Sequence, residues 1–168
     1  MKIGGDLPPF FGVNAALAAC LYLVDVGLNS SIEYGDLPGQ DALDNSSDSI
    51  VSFVQVLLQI AALVNLLMLL GGTFLFRSGL FGMLYSHFRL VLLVHPLYIC
   101  LTIILGIARM NLLSSENAHH VDIWDAQDYA AFSGIHKIAA MCYYACSIYA
   151  VEKLRDRKYY SHEFWMRK

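Results

Sequence analysis

Charge is what this sequence has little of. Only 15% of its 168 residues are Asp, Glu, Lys or Arg, where a soluble domain carries roughly a quarter. With 57% hydrophobic residues, this excludes an ordinary soluble domain and points to an integral membrane protein of one domain. No basic footprint suited to nucleic acid is present. Cysteine is equally sparse: Cys20, Cys100, Cys142 and Cys146 all fall inside apolar runs, so no disulfide framework is written here. Cys142 and Cys146 lie one helical turn apart, but no further donors at metal-ligand spacing accompany them. They read as small, apolar-like packing residues. Also missing are a glycine-rich phosphate loop, a nucleophile with its base, and paired carboxylates within an apolar stretch. The expectation is a protein that is not an enzyme and takes no cofactor and no identified small-molecule substrate. The alternating pattern of a membrane β-barrel is absent too, which leaves helices.

What is there is a set of four apolar stretches. A helix needs about 20 mostly apolar residues to cross about 30 Å of hydrocarbon, and residues 10–28, 50–76, 90–108 and 129–151 qualify. Pro8 and Pro9 open the first, a position where proline starts helices well. Lys2 is offset by Asp6 and the apolar run continues past the Ala-rich part, so this segment reads as a retained span and not a cleaved signal. The second is longer than a straight crossing requires and should tilt or project. The connection at 29–49 holds Glu33, Asp36, Asp41, Asp44 and Asp48 with no Lys or Arg. The connector at 77–89 holds Arg77 and Arg89 with no acid, and the loop from Arg109 to Asp128 is again acidic. The tail at 152–168 has six basic residues against three acidic ones. The positive-inside rule then predicts an all-α membrane protein of four transmembrane helices, with both termini on the cytoplasmic or inner side. Asn29 and Asn45 begin glycosylation sequons in the loop assigned outside.

Polar residues inside spans turn towards protein, so their spacing shows which faces meet. Ser52, Gln55, Gln59, Ala62 and Asn65 share one side of the second span. His95, Tyr98, Thr102, Gly106 and Arg109 form a stripe in the third, and Ser133, His136, Ala140, Tyr144 and Ser147 one in the fourth. A bundle joined by interhelical hydrogen bonds follows. His95 and His136 raise haem or quinone binding as a weaker alternative, since histidine is a haem ligand, although they fall at different depths. Lys137 is expected to snorkel outward or to meet Asp25 near the outer end of the first span. His119-His120 reads as part of a solvated loop.

The stretch "FLFRSGLFGMLYSHFRL" joins the second and third spans. Leu80, Phe81, Leu84, Tyr85 and Phe88 recur at helical spacing with Ser78, Gly82, Ser86 and Arg89 opposite, which predicts a short amphipathic helix on the inner membrane surface. "GGTFLFRSGLFGMLYSHFR" following "VQVLLQIAALVNLLMLL" resembles the central region of the transmembrane protein 138 family. "KIAAMCYYACSIYAVEKLRDRKYYSHEFWMRK" resembles that family's last span and C-terminus, and "MNLL" and "YLVDVGLNS" agree in place. The resemblance implies a four-span, non-catalytic protein of the ciliary membrane and transition zone, needed for cilium assembly. The acidic stretch around "GDLPGQDALDNSSD" and the N-terminal "GGDLPPFFG" depart from it. The resulting expectation is a structural subunit of a larger membrane assembly, whose partners are the lipid bilayer and other membrane subunits. Its candidate interface residues are Arg77, Leu80, Phe81, Leu84, Phe88 and Arg89 of the connector, with Phe164 and Trp165 of the tail. The alternative is an accessory subunit of a respiratory-type complex in the mitochondrial inner membrane, and a weaker one is a transporter subunit.

Overall fold

The computed structural model describes residues 6–35, 45–113 and 127–166, and every regular element among them is helical. Among the described residues, three helices are long and apolar enough to cross a membrane, over Phe11–Ile32, Ile50–Gly71 and Phe81–Leu112. They belong to α1 (Phe11–Gly35), α2 (Asn45–Gly71) and α4 (Phe81–Leu113). A fourth long helix, α5 (Gln127–Leu154), matches them in length. It is less apolar because Ser133, His136, Lys137, four tyrosines and Ser147 interrupt it. α1 packs along α2, α2 along α4, and α4 along α5. Long tyrosine side chains close the ring between α5 and α1, with Tyr22 edge-on to Tyr143 at a 5.6 Å centroid separation.

Helix boundaries differ from the sequence expectation in instructive ways. α1 and α2 extend into the connection expected over 29–49, leaving residues 36–44 outside the described structure. α2 stops at Gly71, short of Phe76, because Gly71-Gly72 weakens the helix and Thr73 caps a new turn, α3 (Phe74–Arg77), by accepting from the Phe76 amide. Gly79 then adopts φ +73°. The Leu80 amide donates to the Leu75 carbonyl and the Gly79 amide to that of Phe76, the paired bonds that end a helix on a left-handed glycine. The connector expected at 77–89 is not a separate surface helix. α4 begins at Phe81 and runs through it into the third span, broken only at Phe88 (φ −122°, ψ 15°).

At that end the tail folds back. A 3-10 turn (Arg157–Tyr160) is capped by Asp156, which accepts from the Lys158 amide, and α6 (His162–Met166) follows. Tyr159 and Trp165 bury themselves against Leu70, Leu75, Leu84, Phe88 and Leu154, and the Trp165 indole donates to the Lys158 carbonyl at 2.8 Å. His87 stands edge-on to Trp165, and Lys153 donates through Nζ to the His87 carbonyl at 2.8 Å.

This fold corrects part of the expected interface. Leu84, Phe88 and Trp165 are 6%, 3% and 5% exposed and belong to the inner-end core, so they are not a docking surface. Two apolar pairs at four-residue spacing share about two turns of helix. Leu84 and Phe88 face the tail, whereas Phe81 and Tyr85 face outward with Arg77 and Arg89. Leu80 and Phe164 are half-buried against the same core.

Candidate functional site

α1 presents Ala18, Tyr22, Asp25 and Asn29 at intervals of four, three and four residues, so the four share a face. The three polar stripes of α2, α4 and α5 converge on that face. At the centre is Asp25, 2% exposed. Its Oδ1 accepts from Gln59 Nε2 at 3.0 Å and Gln55 Nε2 at 3.2 Å. Its Oδ2 accepts from the Tyr144 hydroxyl at 2.5 Å and the Tyr98 hydroxyl at 3.2 Å. One carboxylate therefore collects neutral donors from all three other long helices.

Asn29 reinforces this one turn further along α1. Its amide donates to the Tyr98 hydroxyl at 2.8 Å and the Tyr144 hydroxyl at 3.3 Å, and its Oδ1 accepts from Gln55 at 2.7 Å. Thr102 extends the network, accepting from Gln59 Nε2 at 3.1 Å and lying 3.0 Å from His136 Nε2. A cavity of about 30 Å³ opens beside it, lined by Asn29, Gln55, Thr102, Arg109, Tyr129 and His136 among others. Towards the tail end, Asn65 donates to the Asn14 carbonyl at 2.8 Å and clips α2 to α1.

A second polar layer adjoins the first through Gln59. Its Oε1, the Tyr22 and Tyr143 hydroxyls, both ring nitrogens of His95 and the Ser147 hydroxyl are buried without a hydrogen-bond partner among the described residues. Buried polar groups of this sort are commonly met by ordered water. They are contributed by all four long helices, as the Asp25 bonds are.

Several expected sites change on this geometry. The Asp25–Lys137 pair is replaced, since Asp25 takes its bonds from glutamines and tyrosines while Lys137 is exposed. The haem alternative fails for want of space. His136 stacks on Tyr98 at 5.1 Å, Tyr98 stacks on Tyr143 at 4.4 Å, and Tyr143 meets His95 edge-on at 4.7 Å. Two tyrosine rings thus fill the gap between the imidazoles where a macrocycle would lie. Asn29, half-buried and bonded on both sides of its amide, is unsuited to glycosylation. The Asn45 side chain and His119-His120 lie outside what the structure describes.

The α1 face lies outside those three stripes, although Tyr22, Asp25 and Asn29 recur there at the same spacing. That periodicity was the available signal for Asp25 as the hub. Among the described residues, each hydrogen-bond partner of the carboxylate is a donor on another helix, an arrangement that joins helices in a medium where unmatched polar groups are costly.

Comparison with known proteins bears on most of this architecture. A family profile described as Transmembrane protein 138 matches residues 49–168, more than half of the chain. The match holds Gln55, Gln59, Tyr98, Tyr144 and the folded tail, while Asp25 and Asn29 precede it. Neither curated proteins nor solved structures gave a significant match.

Proposed function

The chain belongs to the transmembrane protein 138 family, and from that premise we propose that it is a non-catalytic structural subunit of a larger membrane assembly. Following the family resemblance, the assembly is that of the ciliary membrane and transition zone, and its task is cilium assembly. The observation that supports this reading is the direction in which polarity is turned. Charge and hydrogen-bonding capacity inside the bundle are spent on holding four helices together. The outer faces offer apolar side chains, and at the α3–α4 corner an aromatic strip of Phe76, Phe81 and Tyr85, 43%, 56% and 54% exposed. A strip flanked by Arg77 and Arg89 suits a neighbouring membrane subunit.

In this reading α5 is the fourth span. Its polar residues face the other helices or the outer third of the bilayer, and its 28 residues reach about 42 Å, enough to cross. The basic connector and tail lie inside and the acidic loops outside. Two measurements test the proposal. Mild-detergent extraction from native membranes should give a particle much larger than the 18.7 kDa chain. Replacing Phe81 and Tyr85 with Ala should then release partners while leaving the melting temperature of the purified protein unchanged. A monomeric extract, or partners retained by the double variant, would count against a subunit role at this face.

A further inference from the structure

The break at Phe88 leaves a groove between α4 and α5, and we propose that it is a binding site for the phosphate headgroup and one acyl chain of an anionic glycerophospholipid. The site goes beyond the subunit reading and does not depend on it. The groove has a volume of about 200 Å³. Its walls are apolar along the helices, formed by Leu90, Cys146 and Tyr149, and its floor is Phe88 and Ala150. Its end is basic. Arg89 is exposed and forms no ion pair among the described residues, and Lys153 stands across the groove from it on α5.

Lys153 is held in place by the backbone break itself. Its Nζ donates to the His87 carbonyl at 2.8 Å, which lies at the break, and stands 5.1 Å from the Phe88 ring centre and 5.7 Å from that of Tyr149. An ammonium has three N–H donors, so two remain for a ligand. Arg89 immediately precedes the apolar stretch of α4, and Lys153 follows the apolar stretch of α5 with only Glu152 between. Both cations therefore sit at one level, where hydrocarbon gives way to headgroups. Leu90 and Tyr149, 61% and 65% exposed, open the groove sideways towards the bilayer and not towards water. Basic pockets between spans at this level are suited to phosphate headgroups, while the apolar walls suit an acyl chain that a soluble anion lacks. Charge complementarity and sideways access together favour a lipid over an acidic peptide.

The experiment is native mass spectrometry of the full chain, released from nanodiscs of equal phosphatidylglycerol and phosphatidylcholine. Retained lipid should be predominantly phosphatidylglycerol. Arg89→Gln and Lys153→Gln should each lower that preference about fivefold, the effect of one basic residue near a charged surface. Arg155→Gln, on an exposed tail side chain that does not line the groove, should leave it intact. Gel filtration and a thermal melt of each variant separate loss of lipid from loss of fold. Cys146→Trp gives an independent arm, because it fills the apolar channel without touching either charge and should expel lipid while the melt stays cooperative. Equal retention of the two lipids, or preference unchanged in the Arg89→Gln/Lys153→Gln double variant, would overturn the proposal. So would displacement of lipid by glycerol 3-phosphate, which would assign a soluble anion site, or by an acidic peptide, which would assign a protein surface.

Discussion

Replacing Asp25 with Leu would leave Gln55, Gln59, Tyr98 and Tyr144 facing a methyl group inside the bundle. Deleting the shared partner of a buried polar set costs about 3 kcal/mol, and interhelical hydrogen bonds in membranes average somewhat less than 1 kcal/mol each. Asp25→Leu should therefore lower stability by about 3 kcal/mol in a denaturing-detergent titration. Asp25→Asn, which keeps one acceptor oxygen, should lose about half of that. A leucine variant as stable as the parent would show that the network is incidental. Asn29 leads to a different prediction. If the outer loop reaches the secretory lumen, glycosidase should shift the parent and the Asn29→Gln variant alike but not Asn45→Gln, because Asn29 is committed to Tyr98, Tyr144 and Gln55. The polar stripes on α2, α4 and α5 were legible from the sequence because helical spacing alone decides which residues share a face. The donors to Asp25 were not, because a lysine and a pair of glutamines are equally plausible partners until the helices are placed. Distance along the chain says nothing about which will arrive.

The α3–α4 corner behaves as two faces on one short stretch of helix. Leu84→Ala or Phe88→Ala opens a cavity beneath the tail and should cost about 2–4 kcal/mol, whereas Phe81→Ala on the exposed face should cost under about 1 kcal/mol. Limited proteolysis of the 157–166 segment is the sensitive readout, since only the first pair supports Tyr159 and Trp165. Gly79→Ala forces a side chain into left-handed backbone and should cost about 1 kcal/mol. The amphipathic pattern of this stretch could be read in advance. Which apolar pair turned inward could not, because that depends on a tail some 70 residues further along the chain (Lys153 to His87 spans 66). The tail has its own acid sensitivity. Lys158, bonded to the Asp156 side chain at 2.7 Å, holds that carboxyl below its ordinary range, with the Lys158 backbone amide adding to the effect. A depressed carboxyl contributes stability above its unfolded range and loses it as pH falls through the folded one. The turn should therefore keep its protease resistance at neutral and mildly acid pH and fray only below about pH 4.

For the molecule as a whole, orientation follows from where the cations stand. Trypsin added to sealed, right-side-out vesicles should spare the exposed Arg155, and cut there once the membrane is permeabilised; cleavage before permeabilisation would reverse the arrangement. The proposal of four spans with both ends inside rests on the way charge segregates by connection. The apolar character of α5 was the weakest of the four, and the fold explains why, since its Ser, His and Tyr residues are the far wall of the polar core. The Asp25 hub also has a history in time. A chain made from its N-terminus delivers the carboxylate first. Gln55 and Gln59 follow after 30 and 34 residues, but Tyr98 and Tyr144 only after 73 and 119. With only α1 and α2 made, Asp25 has two of its four donors, and the two hydroxyls are still to come. Until α5 is made Asp25 lacks its Tyr144 bond, so the last long helix completes a hub that the first begins.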